Sequence, residues 1–167
     1  MRASAALVGQ PLWTFAVSRY ARPGVKDACL ALQEAGLDVP LALWLVWAVS
    51  EGRDPYKKLD EAMAITAQWN GAIVHPLRGA RNALKSPPGF TDAQLAHTLR
   101  QHILDAELDA EAMLLGALEA LDLPLSTPRN DTASDALAAL EAYRRRRGVK
   151  APLARFTQAI FSDLKKE

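Results

Sequence analysis

Four basic side chains, His75, Arg78, Arg81 and Lys85, recur at steps of three, three and four residues. That spacing gathers them near one side of a helix, within reach of one anion. Pro76 adds free backbone N–H groups if a new helix starts there. The chemistry is capture of a phosphate, a carboxylate or an acidic partner surface. The chain carries its own competitor for these cations. Asp105, Glu107, Asp109 and Glu111 lie close together, and Glu107 and Glu111 share a helix face. Guanidinium forks match carboxylates in pairs, so internal Arg–Glu pairing is preferred over an external anion.

The other chemical candidates are weaker. Trp13, Trp44, Trp47 and Trp69 all sit on apolar stripes, where tryptophan mostly supplies packing area. The competing reading is an apolar pocket lined by Trp44, Trp47 and Trp69, with His75 and Arg78 at its mouth holding an acidic head group. Asp105-x-x-x-Asp109 matches half of a magnesium–diphosphate site but lacks a second acidic group. His97 and His102, five apart, point to different sides of a helix, and Cys29 has no ligand at metal spacing. No Gly-rich phosphate loop and no nucleophile elbow occur. The sequence therefore offers no catalytic residue, no metal site and no cofactor. Arg144–Arg147 is the densest charge run, but it sits where a helix ends and its dipole favours cations. Four adjacent residues spread around a helix rather than forming a stripe, so nucleic acid is the lesser reading.

These residues must be carried by helices. The apolar spacing is three to four nearly throughout, and no period-two run appears. The run Val39–Val49 is apolar on every side at helical spacing and too short to span a bilayer, which takes roughly 20 residues. It is read as a buried central helix over about 39–51, with Asp38 as its N-cap and Gly52 at its end. Around it the pattern predicts helices at 11–21 and from Pro23 to Gly36. A long one follows from Asp54-Pro55, kinked or split at Pro76. Its stripe is Leu59, Met63, Thr66, Trp69, Ile73, Leu77, Ala80 and Leu84. Thr91 and Gln94 form a capping box before a helix striped by Leu95, Leu99, Ile103, Ala106, Ala110, Met113, Ala117 and Leu121. Two shorter helices are expected at 132–147 and 152–165. The fold class is all-α: a single-domain bundle of about six or seven helices around the 39–51 segment. Its parts are a helical core over 1–122, a loop or linker over 123–131, and a C-terminal helical pair over 132–167 packed on the core.

Composition agrees. Of 167 residues, half are apolar and the net charge is +1, which is ordinary for a globular protein. The charge is uneven: residues 1–122 carry −3 and residues 123–167 carry +4. One cysteine excludes an internal disulfide framework and points to a reducing cytoplasm. The N-terminal ten residues make a poor signal peptide.

The ordered string Leu12-Trp-Thr-Phe-Ala16, Tyr20-Ala-Arg-Pro-Gly-Val25, Ala28-Cys-Leu-Ala-Leu-Gln33, Gly36-Leu-Asp-Val39 and Leu43-Trp44 resembles a family of small bacterial proteins known only as a domain of unknown function. Trp69, Val74-His-Pro-Leu-Arg78 and Arg81 continue the pattern. The resemblance covers roughly residues 11–120. It implies a small helical bacterial protein and assigns no catalytic residues. Three functions are consistent with the sequence. The first is a non-enzymatic adaptor or regulator in the bacterial cytoplasm, meeting a protein partner or a second copy through Arg78, Arg81 and Lys85 or through Phe156, Ile160 and Leu164. The second is a bundle that binds, or acts on, a small apolar acid. The third is nucleic-acid binding through the basic C-terminal part. No membrane insertion is expected.

Overall fold

The apolar run becomes helix α3, Val39–Ser50, in a computed structural model that describes residues 11–127 and 131–162. Leu41 through Val46 and Ala48 are all buried, because α1, α2, α4, α6 and α7 each pack against α3. A helix without a polar face needs neighbours on every side. The surrounding segments are α1 Pro11–Tyr20, α2 Val25–Glu34, α4 Leu59–Trp69, α5 His75–Ala83, α6 Ala93–Glu119, α7 Thr132–Arg147 and α8 Leu153–Ile160. A π-helical turn, Asn70–Val74, joins α4 to α5 without a break. The eight α-segments therefore form seven rods, and no strand occurs among the described residues.

Local chemistry sets the boundaries. Gly36 at φ +87° closes α2: its own N–H donates to the Gln33 carbonyl, and Leu37 N–H donates to the Leu32 carbonyl. Gly52 closes α3 in the same way. This double bond needs a left-handed residue, which glycine adopts without strain. The cap of α6 is Asp92, whose carboxylate accepts from Leu95 N–H at 2.9 Å. The expected cap, Thr91, instead donates its hydroxyl to Pro88. Glu119 near the end of α6 accepts from Leu12 N–H at 2.8 Å, satisfying a free donor in the first turn of α1.

The C-terminal pair belongs to the same core. Ala136, Leu140 and Tyr143 of α7 and Leu153, Phe156 and Ile160 of α8 join one hydrophobic cluster with α1, α2 and α3. The stripe offered for a partner is thus buried in the body at Phe156 and Ile160, and Leu164 lies outside the described residues. Arg19 and Arg22 both donate to the Ile160 carbonyl, tying α1 to the end of α8. The arginine run is also used internally. Arg144 donates to Glu141 and to the Val149 carbonyl, Arg146 to Asp60, and Arg147 to the Gly36 carbonyl.

Two predicted stripes need correction. On α6 the inward face is Ala96, Glu107, Ala110, Leu114 and Leu118, whereas Leu95, Leu99 and Met113 are exposed. A glutamate sits on the inner side because two arginines meet it there. On the fourth rod the inward residues are Leu59, Ala62, Thr66, Asn70 and Val74, while Ile73 faces out.

Candidate functional site

A partly open cavity of about 390 Å³ lies where α1, α2, the start of α3, the π turn, α5 and α6 converge. This volume suits a small organic molecule. α1 supplies Trp13, Ala16, Val17 and Tyr20, whose spacing of three and four puts them on one side of the helix. Leu30 and Leu37 line the α2 side, with Val39 and Leu43 from α3 and Leu108 and Leu115 from α6. The apolar face of α1 is thus turned toward an empty space, which leaves Val17 and Tyr20 exposed at about two-fifths.

Polar groups converge on the inner wall. Asp38 occupies the N-cap position of α3, yet its carboxylate makes no cap bond. It is drawn away by two neutral donors: Asn70 Nδ2 at 2.6 Å and the Tyr143 hydroxyl at 3.1 Å. The Tyr143 oxygen in turn accepts from Asp38 N–H at 2.9 Å. Burial, reinforced by the nearby Asp38 charge, raises the phenol well above its ordinary pKa. Asn70 is buried and sits on the π turn, a local widening of the helix that recurs at functional positions.

Arg78, farther along the same rod, anchors an ion network beside the cavity. Arg78 Nε donates to Glu107 at 2.7 Å and its terminal nitrogen to Glu111 at 3.0 Å. Arg81 Nε donates to the other Glu107 oxygen at 2.6 Å. Burial disfavours the charged form of Glu107, but hydrogen bonds from Arg81 and Arg78 outweigh it and hold the carboxyl below its ordinary pKa. At Glu111 the balance reverses. Burial is the largest influence, the Glu107 charge adds to it, and the single Arg78 bond does not compensate, so the pKa is raised. Cys29 also lines the cavity, and burial pushes its thiol up to about 12.

The predicted residues are distributed as follows. Arg78 and Arg81 are brought together, by glutamates of the chain itself. Arg78 borders the cavity, but its fork is occupied rather than open to an acidic head group. His75 is exposed. Lys85 stands near the tip of the α5–α6 pair, beside His97 and Arg100 around a shallower hollow. None of Trp44, Trp47 and Trp69 lines the cavity between α1, α2 and α6. Trp44 is fully buried and its N–H finds no acceptor in the protein. Trp47 and Trp69 pack against the core, and Trp69 Nε1 donates to the Ala110 carbonyl at 2.8 Å. Asp105 is exposed, and no group of three potential metal ligands occurs among the described residues. The sequence reading missed Asp38, taken only as a cap, and Asn70. The available signal for Asn70 was a polar residue on the Thr66–Val74 side of an otherwise apolar stripe.

Fold and site together define an all-helical bundle with a side cavity lined by apolar residues and by two hydrogen-bonded polar clusters. The chain belongs to the family described as "Protein of unknown function (DUF2390)", whose model matches residues 11–118. Every residue lining the cavity falls within that match, whereas α7 and α8 lie beyond it. No curated protein and no solved structure matches the chain. No helix among the described residues is long and apolar enough to cross a membrane.

Proposed function

We propose that this chain is a non-enzymatic binding protein that holds a small, largely apolar molecule in the cavity between α1, α2, α3 and α6. The cavity itself carries the reading: about 390 Å³ of space beside Trp13, Tyr20 and Leu43, in a bundle whose central helix is otherwise packed solid. Asp38, Asn70, Tyr143 and Arg78 are each held by partners inside the chain, which supports holding a ligand over transforming one. A bacterial cytoplasmic setting is part of the proposal, supported by the single, buried Cys29.

The test uses Nile red, a neutral dye whose emission shifts in apolar surroundings. The expected result is one saturable site per chain, lost when Val17→Trp fills the cavity from its exposed rim. No saturable binding, or equal binding by the variant, overturns the proposal.

A second reading, an adaptor that docks a protein partner, is favoured by one observation. Phe90, Leu95 and Leu99 are 91%, 69% and 50% exposed on the α5–α6 pair. Apolar side chains clustered in this way mark interaction surfaces.

A further inference from the structure

We infer that the molecule held in this cavity is an amine: an apolar body bearing one protonated nitrogen, seated against Asp38 and Glu111. The inference rests on the cavity being a ligand site and adds the chemistry of its occupant.

The charges on the wall decide the sign. The ionisable side chains lining the space include two carboxylates, Asp38 and Glu111, and one guanidinium, Arg78; among the described residues no lysine or histidine lines it. Arg78 is already shared between Glu107 and Glu111. Arg81, the other cation of the network, completes Glu107. The four-residue network is balanced within itself, and Asp38 stands outside it. Asp38 is met by an amide and a phenol, both uncharged; Arg147 stands nearby, acting on Tyr143 and donating to the Gly36 carbonyl, but forms no ion pair with Asp38. Its place at the α3 N-terminus suits an anion, yet it makes no cap bond there. A carboxylate held in place by neutral donors, at the wall of an apolar cavity, is a receptor for a charged donor.

The rest of the lining fits the same ligand. Asn70 bonds Asp38 through Nδ2 and itself lines the cavity, so an amide stands beside the carboxylate. Trp13 and Tyr20 supply aromatic walls, and aromatic faces attract cations. An acidic ligand meets the opposite situation: the like charge of Asp38 and a guanidinium fork that is already filled.

The experiment compares three ligands of one shape: 4-phenylbutylamine, 4-phenylbutanol and 4-phenylbutanoate. Binding is followed by calorimetry and by the fluorescence of Trp13, with Trp13→Phe identifying its share of the signal. The expected order is amine, alcohol, acid, with the amine about tenfold tighter than the alcohol. Asp38→Asn is expected to bring the amine down to the alcohol's affinity and leave the alcohol unchanged. Because Asp38 also holds Asn70 and Tyr143, Glu111→Gln provides a second variant, expected to reduce the amine preference severalfold. An acid that binds as well as the amine, or an amine no tighter than the alcohol, overturns this inference while the cavity remains a ligand site. An amine preference that survives both substitutions also overturns it. If none of the three binds, the ligand-site reading falls with it.

Discussion

Two glutamates one helical turn apart, sharing one arginine, should respond to the same substitution with opposite signs. Glutamine at position 107 keeps the shape of the side chain and one acceptor, but turns an NH₂ toward one of two guanidiniums. The wild-type carboxylate receives bonds of 2.7 and 2.6 Å from the two Nε atoms, and its side chain is 5% exposed. Hydrogen bonds to charged partners contribute about 1.5–3 kcal/mol each. The Arg78 and Arg81 side chains are 28% and 18% exposed, so water recovers part of the loss. Glu107→Gln is therefore expected to destabilise by about 2–3 kcal/mol. At about 2–4 °C per kcal/mol for a chain of this size, the melting temperature falls by roughly 4–12 °C. Glu111→Gln loses one 3.0 Å bond from a half-buried carboxylate that burial already disfavours. It is expected to lie within about 1 kcal/mol of wild type at pH 7, on the stabilising side. The pH dependence separates the two further. Glu107 titrates below its ordinary 4.5, so its stabilisation is present above 4.5 and is lost as pH falls through the lower folded value. Glu111 titrates above 4.5, so its charged form weakens the fold at neutral pH, and protonation on the way down to 4.5 relieves this. Urea titrations of both variants and wild type between pH 4 and 8 measure each difference. Equal destabilisation by the two substitutions, or a Glu107→Gln effect below about 0.5 kcal/mol, would refute the reasoning.

Other consequences follow from single contacts. Tyr143→Phe leaves the Asp38 N–H and one carboxylate oxygen without a partner, and equilibrium denaturation should show a loss of about 1–3 kcal/mol. With its thiol pushed up to about 12 from 9.0, native Cys29 presents roughly a thousandfold less thiolate at pH 8 than an unperturbed thiol. Iodoacetamide should therefore modify it only after unfolding, and fast labelling of the folded chain would contradict its burial. Phe90→Ser and Leu95→Ser should each change stability by no more than about 0.5 kcal/mol while weakening any partner captured through the α5–α6 pair. Capture undiminished by both substitutions removes that surface from consideration.

The fold was largely legible because its strongest signals are local. An eleven-residue apolar run has only the interior to go to, and Gly36 and Gly52 end helices by a backbone geometry that any reader of the sequence can anticipate. The internal pairing of Arg78 and Arg81 with acids of α6 was also legible, since opposite charges on two amphipathic helices leave few alternatives. The cavity was not. Whether Trp13 and Tyr20 face a packed neighbour or an empty space depends on how closely α1 and α2 approach α6, a distance that no residue spacing encodes. Trp44, Trp47 and Trp69 were indistinguishable from pocket residues by composition, although all three pack into or against the core.

The face of the fourth rod shows how a small change in helical winding relocates a site. At 3.6 residues per turn, the expected stripe mixes steps of three and four from Leu59 through Met63, Thr66 and Trp69 to Leu84. The observed inward residues Ala62, Thr66, Asn70 and Val74 are spaced by four throughout, and Arg78 continues the spacing. A step of four drifts around a regular α-helix by about 40° each time. It stays on one face only if the helix is locally underwound, which is what a π turn provides. The turn at Asn70–Val74 therefore carries Asn70 to Asp38 and Arg78 to Glu107 and Glu111 on the same side of the rod. Without the extra residue that a π turn contains, one of these two clusters would rotate out of register with the other. The turn is thus the element that brings both polar clusters to the cavity, Asp38 through Asn70 and the balanced ion network through Arg78.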